Sequence, residues 1–312
     1  MMKNKCLYCY QELNSDSEFH ESCAKQFFGT KQAPIFPYSL SDMAELAKEV
    51  IDRSISVPGV QAKLSMSLVK KHMQEQQRFT VVGALGGNYI VKPANEQYPC
   101  MPENEHLTMR LAELYGIPVV PSSLIRLQSG ELSYITKRID RTPKGEKLHM
   151  LDMFQILEAY DKYKGSMEKV GKAIVTYSEN TLLDARTFFE LTVFCYLTGN
   201  NDMHLKNFSL LNTSYGWSFS PAYDLLNVAI VLPEDTEEFA LTIGGKKKKI
   251  TKEVLKHFAI DLGLNQKQIE TAFLNFESKK ELVFQLIQQS FLPIEYQLKY
   301  KDLFTNRLRN IL

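Results

Sequence analysis

Gly199-Asn200-Asn201-Asp202-Met203-His204-Leu205-Lys206-Asn207, followed by Pro221-Ala222-Tyr223-Asp224, decides how the rest of the chain is read. An apolar run of helical period over 183–197 leads into this stretch, which then brings Asp, His, Lys and Asn close together. Phosphoryl transfer asks for such an inventory. One carboxylate must face the attacking hydroxyl, while an amide oxygen and a second carboxylate hold Mg²⁺ against the phosphates. A cation beside the first carboxylate steadies the charge that develops during transfer. Apolar alternation predicts short strands over 208–211 and 217–219, which would bring Asp202, Asn207 and Asp224 to one mouth. His204 suits a hydrogen-bonding brace of this loop better than a proton shuttle.

Such a site needs an ATP-binding half elsewhere. Residues 78–82 and 88–93 alternate as strands around Gly86 and Gly87, and Lys92 ends the second. A lone strand lysine is ordinarily an edge or snorkelling charge. Here Glu105 opens a helical pattern through Leu107, Leu111 and Leu114, stopped by Gly116 and Pro118. Paired with that carboxylate, the Lys92 ammonium would be aimed at phosphates. Further strands are predicted over 119–127 and 132–139. Upstream, Ser54-Ile55-Ser56-Val57-Pro58-Gly59-Val60-Gln61-Ala62-Lys63 interrupts regular structure before a strand resumes at Leu64, Met66 and Leu68. A small-residue loop can offer N–H groups and hydroxyls to phosphate, although one glycine equally marks a plain turn. It is neither a Walker A sequence nor the Gly-rich loop of ordinary protein kinases.

The first thirty residues have another character. Cys6-Leu7-Tyr8-Cys9 precedes His20-Glu21-Ser22-Cys23, two closely spaced pairs of soft ligands suited to one tetrahedral Zn²⁺. With four protein ligands that zinc would be structural; the plainer alternative is reduced thiols and a surface histidine. A two-proline linker follows over 31–39, and Ser41 is predicted to cap a helix through Arg53. Beyond Lys147 the chain reads as mainly helical, with apolar faces over 153–160 and 183–197 and a helix capped by Thr251. The Lys246-Lys247-Lys248-Lys249 run reads as a solvated face before a contact with an acidic partner, a phosphate or nucleic acid. Cys195, inside an apolar helix, reads as packing. Three parts result: residues 1–33 as a Cys/His module, 34–146 as a β-rich lobe with the phosphate loop, and 147–312 as a helical lobe with the catalytic and metal-binding loops.

Composition sets the bounds. A chain of 312 residues with 44% hydrophobic and 23% charged content buries a substantial core. Its net charge of +1 gives no global reason to bind nucleic acid or membrane. The N-terminus lacks a signal-peptide core, no apolar run approaches a bilayer span, and five unevenly placed cysteines make no disulfide framework. A cytoplasmic protein is the expectation.

Over residues 50–310 the chain resembles the HipA-type serine/threonine kinases, toxins of bacterial toxin–antitoxin systems. The likeness is carried by the Ser-Val-Pro-Gly-Val-Gln-Ala-Lys loop from Ser56 to Lys63, Lys92, Asn104-Glu105 and the Lys-Arg-Ile-Asp-Arg run from Lys137. The loop from Asn201 to Asn207, Pro221-Ala222-Tyr223-Asp224-Leu225 and Ile243-Gly244-Gly245-Lys246 complete it. The resemblance implies a two-lobed, protein-kinase-like α+β fold with a small β-rich N-lobe and a mainly helical C-lobe. It implies that Asp202 is the catalytic base and that Asn207 and Asp224 bind Mg²⁺. ATP would be bound through Lys92, Ser56, Val57, Gly59, Gln61, Lys63, Glu105, His204 and Lys206. Ser56, and with it Ser54 as in the short HipT-like members, would be autophosphorylated, and the added charge would oppose nucleotide binding. The implied partners are an aminoacyl-tRNA synthetase as substrate and a helix-turn-helix antitoxin, with DNA reached only through the antitoxin. The N-terminal subdomain of full-length members is missing before this core; either a separately encoded small HipS-like subunit would supply it, or the Cys/His module standing in its place would serve packing or partner docking. Two other classes compete: a small-molecule alcohol kinase on the same fold, and a non-catalytic zinc-bearing repressor subunit.

Overall fold

Pro121 and Gly130 delimit the strands on which the N-terminal sheet is built. The computed structural model describes residues 4–53, 63–69, 76–81, 87–95, 97–142 and 144–312. Chain contacts divide it into two units. The first comprises Met1–His106, Val120–Glu146 and Gln289–Phe291, and the second Leu107–Val119, Lys147–Gln288 and Leu292–Leu312.

In the first unit, β1 (Leu64–Val69), β2 (Arg78–Val81), β3 (Tyr89–Lys92), β4 (Ser122–Arg126) and β5 (Leu132–Lys137) form a five-stranded sheet in the order β2-β1-β3-β5-β4. All pairings are antiparallel, and β3 lies at the centre. The last two strands are shorter than their apolar pattern predicts. Pro121 has no N–H to extend the ladder, and its carbonyl instead accepts from Lys137 N at 2.9 Å. Gly130, at φ 105°, turns the chain between them.

Helix α1 (Glu21–Phe28) lays Phe27 and Phe28 onto this sheet, where they meet Tyr89 at 6.0 Å and Phe79 at 6.2 Å between ring centroids. The Cys/His segment and the sheet therefore share one aromatic core. Helix α2 (Leu40–Arg53) starts two residues earlier than expected, and its cap is Ser39, not Ser41. Ser39 Oγ accepts from Asp42 N at 3.2 Å while Asp42 Oδ2 accepts from Ser39 N at 2.7 Å, a reciprocal box that Ser41 has no acid to complete. Helix α3 (Met101–Tyr115) likewise begins before Glu105, since Pro102 is well placed in a first turn whose N–H groups need no intrahelical partner. It ends at Gly116, as the sequence predicts.

The second unit is built around α6 (Thr181–Thr198), which buries apolar residues around most of its circumference, among them Phe188, Phe189, Val193, Phe194 and Leu197. Beside it lies α5 (Met167–Tyr177), whose cap Ser166 accepts from Lys169 N. The predicted helix over 153–160 shrinks to one turn, α4 (Met153–Ile156), started by an Asp152–Gln155 capping box. Glu158 at φ 50° diverts the backbone there, and Tyr160 is 94% exposed. A small antiparallel sheet of β6 (Met150–Asp152), β7 (Ser209–Thr213) and β8 (Gly216–Phe219) flanks the loop after α6. Helices α7 (Lys252–Asp261), α8 (Gln266–Ser278), α9 (Lys280–Gln289) and α10 (Ile294–Ile311) follow. Thr251 caps α7 as predicted. Lys246 follows a tight Gly244-Gly245 turn, and Lys247 pairs with Glu237 at 3.2 Å. No described helix is long and apolar enough to cross a membrane.

Candidate active site and metal centre

The loop after α6 begins at a position that excludes any side chain. Gly199 has φ 74°, and a Cβ there would stand 2.6 Å from Asn227 Oδ1. Buried Asn201 then ties the loop down, its Nδ2 donating to Asp235 Oδ2 at 3.0 Å and to the Glu237 carbonyl at 2.9 Å. Its Oδ1 is buried without a protein partner.

One carbonyl organises the next turn. Asp202 O accepts from His204 N at 2.9 Å and from Asn207 Nδ2 at 3.0 Å, and Asn207 N donates to His204 O at 2.9 Å. Residues 205–207 close as a 3₁₀ turn. Donation from Nδ2 to the Asp202 carbonyl fixes which way the Asn207 amide faces, and its one side-chain acceptor is Oδ1. The Asp202 carboxylate is half-buried and accepts from Tyr163 Oη at 3.0 Å.

Asp224 reaches this unit by another route. Ala222 N donates to Pro118 O at 2.8 Å, in a parallel bridge between Val119 and Ala222. Tyr223 Oη contacts Ser209 Oγ at 2.5 Å and donates to Lys206 O at 3.0 Å. Asp224 then adopts φ 55°, a left-handed conformation that Asp accepts better than bulkier residues. Lys206 is exposed, its ammonium 4.7 Å over the Phe154 ring.

His204 is buried, with Nδ1 unpaired and its ring edge-on to Tyr163 at 5.2 Å. Burial lowers its pKa below the ordinary histidine value, Lys162 adds to that, and Asp202 and Asp224 oppose it. Both carboxylates therefore act on one neutral imidazole. Burial, then the Asp202 charge, pushes the Tyr163 phenol up, so it remains a donor. Neither Tyr163 nor Asn201 was marked as a site residue by the sequence reading. Nothing in the residue spacing points to Tyr163, which lies in a separate loop.

In the first unit Lys92 Nζ lies 2.6 Å from Glu105 Oε1, with both side chains at most 5% exposed. The ammonium also stands 5.3 Å over the Tyr134 ring. Lys63 is exposed. Ser54, Ser56, Val57, Gly59 and Gln61 lie outside the described residues. Asp140 is gripped by Arg138 at 2.6 and 2.9 Å and by Arg141 at 2.6 Å. Burial works against the Asp140 charge, but the two guanidinium groups outweigh it and hold the carboxyl low.

Cys6, Cys9, His20 and Cys23 bring their ligand atoms within 4.8 Å of one another. His20 Nδ1 is 3.4 Å from Cys9 Sγ and 3.9 Å from Cys23 Sγ, while Nε2 lies 3.0 Å from the Glu12 carbonyl. Burial, then the Cys6 and Cys9 sulfurs, pushes the Cys23 thiol up to about 12, a crowding that a cation among them would relieve.

Residues 55–282 match the family model of the HipA-like C-terminal domain. A Haemophilus influenzae protein named "Putative kinase" is 27% identical over 290 residues, which cover 83% of this chain and 82% of that protein. Among solved structures, Shewanella oneidensis HipA, in complex with HipB and operator DNA, aligns with a TM-score of 0.67 at 22% identity, over 84% of this chain and 70% of that one. The Helicobacter pylori proinflammatory kinase CtkA aligns at 0.51 and 17% identity, over 72% of this chain and 87% of that one. These likenesses establish a kinase-like α+β fold.

Proposed function

The chain belongs to the HipA-like C-terminal domain family, and from that premise we propose that it is an ATP- and Mg²⁺-dependent serine/threonine protein kinase. Asp202 takes the proton of the acceptor hydroxyl as its oxygen bonds to the γ-phosphorus, and the bond from that phosphorus to the β–γ bridging oxygen breaks to release ADP. Lys92, steadied by Glu105, orients phosphate oxygens. Asn207 and Asp224 would hold the metal, which when bound neutralises charge on the phosphates. An amide oxygen and a carboxylate suit a hard cation. His204, whose pKa is lowered by burial, stays neutral and braces the loop. Lys206, at the surface of the same turn, serves phosphate binding.

The observation that carries this reading is the Asn207 amide, locked by the Asp202 carbonyl so that its oxygen is the atom left for a ligand. The decisive experiment uses labelled ATP with the purified chain and a cell extract. Discrete labelled protein bands are expected, all lost in Asp202→Asn while the circular dichroism spectrum is kept. Transfer by Asp202→Asn at the wild-type rate would sink the assignment.

The same proposal extends to regulation and partners. Ser54 and Ser56 are taken as the enzyme's own substrates, which intact mass before and after phosphatase treatment reads directly. An aminoacyl-tRNA synthetase is the proposed target, to be sought among the labelled bands. A helix-turn-helix antitoxin is the proposed partner, supported by the HipB–DNA complex of the structural relative. Co-purification with the antitoxin, or with a small HipS-like subunit, tests that part.

A further inference from the structure

The Cys/His cluster is more than an appended module, because the turn that carries two of its ligands also reaches the lysine pair. Tyr10 follows Cys9 directly and adopts a left-handed φ of 67°, with its N–H on the Cys6 carbonyl at 3.0 Å. That conformation sends a fully buried ring inward. Its hydroxyl shares a 2.8 Å hydrogen bond with His106 Nδ1, and the two rings stand edge to face at 5.2 Å. His106 is the next residue after Glu105, in the same first turns of α3, and Glu105 holds Lys92 at 2.6 Å.

A second anchor fixes the same turn. Lys5 Nζ donates to the carbonyls of Gln289 and Ser290 at 2.8 and 2.9 Å and stands 4.8 Å over the Phe291 ring, which Tyr10 meets at 5.7 Å. The Leu7 carbonyl accepts from Leu124 N of β4 at 3.3 Å.

We propose that Cys6, Cys9, His20 and Cys23 bind one structural Zn²⁺, and that this ion holds Tyr10 against His106 and so sets the Glu105–Lys92 pair. The cluster fits that ion. Tetrahedral coordination sets sulfur and nitrogen roughly 3.5 Å apart; His20 Nδ1 lies 3.4 Å from Cys9 Sγ and 3.9 Å from Cys23 Sγ, and all four ligand atoms fall within 4.8 Å of one another. The Nε2–Glu12 carbonyl bond directs the ring proton to Nε2 and leaves the Nδ1 lone pair for the metal. Three thiolates and an imidazole select zinc over the hard cations of phosphotransfer and leave no open position for substrate. In the second pair of ligands, His20 and Cys23 flank the first turn of α1, so the ion also ties the knuckle to the helix that carries Phe27 and Phe28.

The consequence for Lys92 rests on the kinase reading; the metal and its contact chain do not. Elemental analysis of the full chain, purified without chelators, should give one zinc per chain. No metal, iron in its place, or a disulfide among these cysteines would overturn the site. Hydrogen exchange tests the coupling without any activity. On zinc removal, peptides covering 101–106 and 89–92 should lose protection along with 4–28, and loss confined to 4–28 overturns the coupling. Tyr10→Phe should keep its zinc, lose protection at 101–106 and bind a non-hydrolysable ATP analogue several-fold more weakly. Unchanged protection at 101–106 in that variant also overturns it. If wild type binds no nucleotide, the kinase reading fails, while zinc content and exchange still decide this inference.

Discussion

Tyr163 Oη donates a 3.0 Å hydrogen bond to Asp202 Oδ1 while the same ring stands edge-on to His204 at 5.2 Å. One side chain thus orients the proposed base and walls the imidazole beneath it. Tyr163→Phe removes the donor and keeps the ring. A hydrogen bond of this kind contributes about 1 kcal/mol, which corresponds to roughly a fivefold fall in transfer rate if it is realised in the transition state. Steady-state kinetics should show the loss in kcat, with the nucleotide KM and the melting temperature little changed. A variant as fast as wild type would mean that Tyr163 only covers the site.

The buried His204 makes stability depend on pH. Its pKa is lowered in the folded chain, so between the ordinary and the lowered value the unfolded state binds more protons. The neutral ring therefore contributes stability above the ordinary histidine pKa of about 6.5, and this contribution is lost as pH falls through the folded value. Urea midpoints should drop as pH is lowered from about 7 toward 5. His204→Gln should flatten that part of the curve; an identical slope in both proteins would assign it to other groups.

The Lys92–Glu105 pair separates stability from chemistry. Removing one partner of a buried ion pair costs about 3–5 kcal/mol, because the other charge is left in a poor medium. Glu105→Ala should therefore unfold at markedly lower denaturant. Replacing both, as Lys92→Met with Glu105→Leu, should recover much of that stability and yet transfer no phosphate. Denaturation and activity measured on the same preparations distinguish the two effects.

Gly199→Ala places a methyl where the backbone is left-handed and Asn227 Oδ1 is 2.6 Å away. The conformational part alone amounts to about 1–2 kcal/mol, and the close contact adds to it. The chain should melt lower and lose transfer activity together, since the strain falls where α6 hands over to the Asp202 turn. Unchanged melting would show that the loop re-forms around the methyl.

Much of the fold was legible because its signals are local. The apolar run ahead of Gly199, the Gly116 stop and the Thr251 cap each act within a few residues, and each element forms there. The helix over 153–160 was misjudged because apolar spacing cannot show that Glu158 turns left-handed. Ser39 displaced Ser41 as a cap because Asp42 lies three residues from the former, a box pattern present in the sequence but passed over.

By itself the sequence determined the reactive inventory: Asp202, Asn207 and Asp224 in their loops, Lys92 on a strand, and two Cys/His pairs at ligand spacing. Those are matters of residue type and short separation, which set turns, caps and periodicity. Only the tertiary structure decided who touches whom across the chain. It put Tyr163 on Asp202, turned the Asn207 amide, and joined Tyr10 to His106 beside Glu105. Such contacts depend on how buried surfaces interlock, and close packing is a property of the folded whole that no run of neighbouring residues encodes.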